Sequence, residues 1–134
     1  MPRSPLRHTR PVLPPAASAL ALALGLSGLP PAPALADTTR PVTSRAEFLG
    51  LVEGRALTRL GISLSVAADG TITGRAFGTP VTGSWDWRDG YFCRAMQYGQ
   101  TEIAANCQSV EQRGNALRFT SDRGAGAHAD LRLR

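Results

Sequence analysis

From Arg55 onward the hydrophobic positions recur at every second residue. Ile62, Leu64 and Val66 alternate with Ser63, Ser65 and Ala67, the pattern of a strand that buries one face. Turn residues interrupt the alternation at Asp69-Gly70, Gly78 to Pro80, Asp89-Gly90, Gly99, Gly114-Asn115 and Asp122 to Gly126. Strands this short, punctuated this regularly, predict an all-β fold: a small antiparallel barrel of about 7–8 strands. The last two run from Ala116 to Thr120 and from about Ala127 to Leu133, with Leu117 and Phe119, then Leu131 and Leu133, in alternation. Ahead of the strands, Ser44-Arg45-Ala46-Glu47 has the spacing of a capping box, and Phe48, Leu49, Leu51 and Val52 precede Gly54. One short N-terminal helix is expected there, after a flexible lead-in over 37–43 that contains Pro41.

Two hairpins can be read at the level of register. A two-residue loop at Asp69-Gly70 would set Leu64 against Arg75 and Val66 against Thr73, mixing core with solvent. Adding Ala68 to the loop pairs Val66 with Ile72, Leu64 with Gly74 and Ile62 with Ala76, and calls for a left-handed Gly70. At Asp89-Gly90 a loop that includes Arg88 places Trp85, Trp87, Tyr91, Cys93 and Ala95 on one face and Phe92, Arg94, Met96 and Tyr98 on the other. A two-residue loop joins the tryptophans to Phe92, Arg94 and Met96 instead. The first register is expected, because Ile103, Ala105 and Cys107 alternate as an inward set and Cys93 has to meet Cys107 on a common side. Phe92, Met96 and Tyr98 would then form an apolar patch around Arg94 on the opposite face.

The first 36 residues follow a different pattern. Arg3, Arg7 and Arg10 precede an Ala/Leu-rich run from Ala16 to Leu29, then prolines and Ala34-Leu35-Ala36. This is the layout of a secretory signal peptide over 1–36, cleaved between Ala36 and Asp37. The run is shorter than the roughly 20 residues a membrane span needs, so no span is expected after cleavage. The leader takes with it three arginines and no acid, lowering the formal charge from +5 to +2. A surface so nearly balanced lacks the basic stripe that neutralises phosphates, which sets nucleic-acid binding aside. In an exported domain the two cysteines, Cys93 and Cys107, read as one disulfide closing a 15-residue loop. The expected compartment is the periplasm or the medium.

The remaining chemistry is sparse. All fifteen basic residues are arginines, which excludes a Schiff-base or phosphate-loop lysine. His128 is the one histidine after the leader, too few for a multi-histidine metal site, and no Gly-x-Ser-x-Gly elbow makes a triad of it and Asp130. Asp86, Asp89, Glu102 and Asp122 read as turn and solvent positions, not as a paired acid and base. No catalytic residue, metal or cofactor is therefore assigned. Trp85, Trp87 and Tyr91 are the candidates for recognition, with Arg94, Arg118 and Arg123 as anion contacts.

Gly83-Ser84-Trp85-Asp86-Trp87-Arg88-Asp89-Gly90-Tyr91-Phe92-Cys93-Arg94, then Asn106-Cys107-Gln108, then Arg118-Phe119-Thr120-Ser121-Asp122-Arg123-Gly124 together resemble a family of small exported bacterial proteins that often carry the name dihydrodipicolinate reductase. The resemblance extends over residues 44–134. That name implies a nicotinamide-dependent reduction in the cytoplasm. Such a reductase needs a strand, a Gly-rich turn and a helix to seat a pyrophosphate, a segment this chain does not offer. The leading expectation is a monomeric exported barrel that binds an unknown small molecule or an envelope protein. The alternative is an inhibitor of a periplasmic protease or lysozyme that presents Asp122 to His128 as a plug. An open barrel interior would favour the small molecule.

Overall fold

The computed structural model describes residues 11–13, 15, 28–32 and 38–134. The expected leader lies largely outside these residues, and the Ala36–Asp37 junction entirely so. The chain divides into two units, residues 1–33 and residues 34–134, and every element below belongs to the second. Among the described residues no helix is long and apolar enough to cross a membrane.

Strand β1 (Thr39–Val42) and helix α1 (Arg45–Val52) come first. Eight strands follow: β2 (Ala56–Arg59), β3 (Ile62–Val66), β4 (Thr71–Ala76), β5 (Thr79–Arg88), β6 (Tyr91–Tyr98), β7 (Thr101–Arg113), β8 (Ala116–Thr120) and β9 (His128–Leu133). Each of these pairs antiparallel with the next, and β9 returns to β2 through Leu57–Leu133 and Thr58–Arg132. The eight therefore close into an up-and-down barrel, the arrangement that leaves no free edge. At 13 residues β7 is long enough to be shared. Its first part pairs with β6, and its second part pairs with β8 and also with β1, from Thr39–Arg113 to Val42–Val110.

Strand β1 corrects the expectation of a loose lead-in. Val42 is buried in the core, and Arg40 pairs with Glu47 at 2.7 Å and donates to Gln112 at 2.9 Å. Four residues with a proline among them carry too little alternation to read as a strand. An edge position, as β1 has, tolerates that proline. The helix follows the capping signal: Ser44 Oγ accepts from the Glu47 N–H at 3.2 Å. The Glu47 carboxylate turns back to the N–H of Thr43, one residue before the cap, also at 3.2 Å. Phe48 and Val52 form the buried side of α1. Phe48 sits among Phe92, Trp87, Trp85 and Phe119 at ring distances of 5.0, 5.3, 5.4 and 6.3 Å, so α1 stops one end of the barrel. Arg45 reinforces that end by lying over the Trp85 ring at 5.2 Å and donating to the Ala68 carbonyl. The turns at 60–61, 77–78 and 99–100 lie at the other end, as the up-and-down order requires.

The β3–β4 hairpin has the expected register, Val66–Ile72, Leu64–Gly74 and Ile62–Ala76, with Gly70 at φ +93°. The β5–β6 hairpin does not. Trp85 faces Arg94, Trp87 faces Phe92 and Arg88 faces Tyr91, which leaves a two-residue loop. Asp89 and Gly90 both have positive φ, +52° and +84°, as a type I′ hairpin turn demands. The other register requires β7 to alternate without interruption. A bulge breaks it: Arg94 faces Asn106 and Met96 faces Ile103, so Ala104 and Ala105 together oppose Ala95. Ile103 and Cys107 consequently belong to opposite faces. The Cys93–Cys107 disulfide forms directly across the strands, on the outward face beside Asp86, and Trp85, Trp87, Phe92, Arg94 and Met96 turn inward together.

Candidate ligand cavity

The inward residues form one core: Val42, Phe48, Val52, Leu57, Val66, Ile72, Trp85, Phe92, Val110, Leu117, Phe119 and Leu133, with Leu64, Met96 and Leu131 packed against it. Among them lies a cavity of about 180 Å³, walled by Leu57, Leu64, Val66, Ile72, Phe92, Met96, Phe119, Ala129 and Leu131. Two polar side chains enter this apolar lining, Arg94 and Gln108.

Arg94 is the unusual member. Its Nη1 donates to the Ala104 carbonyl at 2.7 Å, a carbonyl freed from regular pairing by the bulge. Among the described residues no carboxylate lies within ion-pair distance of it. Partial burial pulls its pKa below the ordinary arginine value. A guanidinium nevertheless stays protonated in a protein and carries five N–H donors. The cavity is therefore bordered by a half-buried cation with donors to spare. Gln108 adds an amide, whose Nε2 reaches Ser121 Oγ at 3.4 Å.

The other candidate residues are dispersed. Trp85 and Trp87 lie inside, but each indole N–H is already engaged, Trp85 Nε1 with the Ala67 carbonyl at 2.8 Å and Trp87 Nε1 with the Thr43 carbonyl at 3.3 Å. Tyr91 is on the outward face, with the Arg123 guanidinium over its ring at 5.5 Å. Arg118, on the outside of β8, makes a two-pronged pair with Asp130 at 2.7 and 2.8 Å. Of the six, Arg94 alone lines the cavity. Gln108 and the apolar wall from β2, β3, β4 and β9 were not singled out from the sequence. The alternation of Leu64, Val66 and Ile72 was the available signal, whereas the bulge hides the parity of Gln108.

The segment from Ser121 to Ala127 folds back on the barrel. Asn106 exchanges two hydrogen bonds with Asp122, 2.8 Å through its Nδ2 and 2.9 Å from the Asp122 N–H. Ser121 N–H bonds the Ala127 carbonyl at 2.9 Å, closing the loop on itself. Among the described residues no group of three or more His, Cys, Asp or Glu could hold a metal ion. No protein-family model, curated protein or solved structure matches the chain.

Proposed function

We propose that the protein is an exported barrel that binds a small apolar carboxylate, with the anionic end on Arg94 and Gln108 and the apolar end against Leu64, Ile72 and Leu131. The observation that carries this reading is a charged guanidinium facing an apolar cavity with one carbonyl for a partner. A half-buried guanidinium with no carboxylate partner is open to a two-pronged, charge-assisted contact from a bound carboxylate. The size of the cavity limits the ligand. A dry cavity of roughly 150 Å³ admits benzene, so about 180 Å³ suits a single ring or a short acyl chain. Export is supported by the leader-like first 36 residues and by the disulfide, a bond that persists in oxidising compartments. The cavity outweighs the inhibitor loop because Asn106 and Tyr91 hold that loop against its own barrel.

Titration with benzoate and with hexanoate, followed by calorimetry and by the emission of Trp85 and Trp87, tests this. Saturable binding is expected, with benzyl alcohol and hexanol binding more weakly. Arg94→Met should weaken the carboxylates by about ten- to a hundredfold, the worth of a hydrogen bond to a charged group. Equal binding of acids and alcohols, no binding of either, or an unaffected Arg94→Met variant would each remove the proposal.

A further inference from the structure

The barrel end opposite α1 carries two large apolar side chains in water, Leu60 at 93% exposure and Phe77 at 71%. They stand on the turns that join β2 to β3 and β4 to β5, and those turns are fastened to each other. The Phe77 N–H donates to the Gly61 carbonyl at 2.7 Å. The Phe77 ring lies over Gly61 so closely that a Cβ there would be 2.6 Å from Cε1. Gly61, at φ +75°, satisfies both the turn and the ring, and only glycine does so without strain. Phe77 has φ +51°, a left-handed conformation that bulky residues rarely adopt and that Asn or Asp would accept at lower cost. An aromatic ring is thus kept in a strained turn, facing water, on a rigid support. Folding of the barrel does not account for it.

A second observation lies beside the first. Leu60 also lines an outer groove of about 620 Å³ together with Arg59, Arg132 and Arg134. The carboxylate in that lining, Asp130, is occupied by Arg118. Arg59 and Arg132 make no ion pair among the described residues. Apolar tips next to uncompensated arginines match a surface that is negative outside and apolar just beneath. A second copy of the same patch would place arginine against arginine and matches poorly.

We propose that this end of the barrel docks on an anionic lipid surface, with Leu60 and Phe77 entering the acyl boundary and Arg59 and Arg132 facing headgroup phosphates. The docking does not depend on what the cavity holds. Apolar contact supplies the depth of binding and the arginines supply the preference for anionic lipid.

The test is co-sedimentation of the full chain with vesicles of phosphatidylglycerol in phosphatidylcholine, against vesicles of phosphatidylcholine alone. Phe77→Asn, Leu60→Ser and the double variant Arg59→Gln/Arg132→Gln are measured in parallel. All share residues 1–36, so any contribution from the leader cancels in the comparison. The wild type should partition selectively to the anionic vesicles. Phe77→Asn and Leu60→Ser should each lower the partition coefficient by about tenfold, and the arginine double variant by about fivefold per charge with loss of salt sensitivity. Asn relieves the positive φ, so an unchanged melting curve for Phe77→Asn separates lost docking from lost folding. Equal partitioning of wild type and variants, equal binding to phosphatidylcholine alone, or self-association in sedimentation equilibrium that Phe77→Asn abolishes would overturn the proposal.

Discussion

A single residue, Arg94, sets the stability of the barrel against its proposed use. Partial burial of the Arg94 guanidinium carries a desolvation cost that an apolar side chain of similar length does not incur. Arg94→Met should therefore raise the urea midpoint, or leave it unchanged, while weakening carboxylate binding by about ten- to a hundredfold. A lower midpoint would show instead that the bond to Ala104 holds the barrel together. Asp130 supplies a second measurement. Its hydrogen bonds from Arg118 hold its carboxyl below the usual range, so the folded state binds a proton less readily than the unfolded one. That contribution is complete above the unfolded value, near pH 4, and disappears as pH falls through the lower folded value. The melting temperatures of wild type and Asp130→Asn should accordingly differ at neutral pH and converge as pH is lowered below about 4. At this scale the sequence singled out Arg94 as an anion contact but put it on the face opposite the tryptophans, whereas it shares theirs. Its value as a site depends on a missing counter-ion, which spacing along a chain cannot reveal.

Among the elements, those governed by local rules were legible in advance. The helix over 45–52 follows from Ser44, Glu47 and Gly54, and the β3–β4 register follows from the alternation around Asp69-Gly70. Strand β1 was not legible, because Val42 gains its place through partners on β7 about seventy positions later in the sequence. The bulge was not legible either. Ala104 and Ala105 look like any two alternating residues, yet they reverse the parity of everything from Asn106 onward relative to Ile103. The disulfide survived that error because both faces of the hairpin give Cys93 and Cys107 a common side, and the bulge decides only which side. Replacing both cysteines by alanine should cost about 3 kcal/mol, the loop-closure estimate for 15 residues. Urea denaturation would measure that loss, while an unchanged near-ultraviolet spectrum would show that strand pairing, not the bridge, sets the register.

For the whole molecule, a barrel of about 7–8 antiparallel strands was accessible from turn spacing, but the particular pairing that closes it was not. The ring is completed by Leu57 against Leu133 and Thr58 against Arg132, contacts between the first barrel strand and the last. Contacts this distant in sequence make folding slow and leave it without a stable partial form. Chains ended after Thr120 should show no cooperative thermal transition, because β2 and β8 would each lack the β9 partner that joins them. The up-and-down closure has one more consequence, in time. A polypeptide threaded out amino-terminus first cannot shelter its early strands while it is being made, since their last neighbour is also the last to arrive. Protease resistance of nascent chains should appear in one abrupt step once β9 has emerged. Until that moment β2 and β8 present unpaired edges, the feature on which strands of separate chains add to one another.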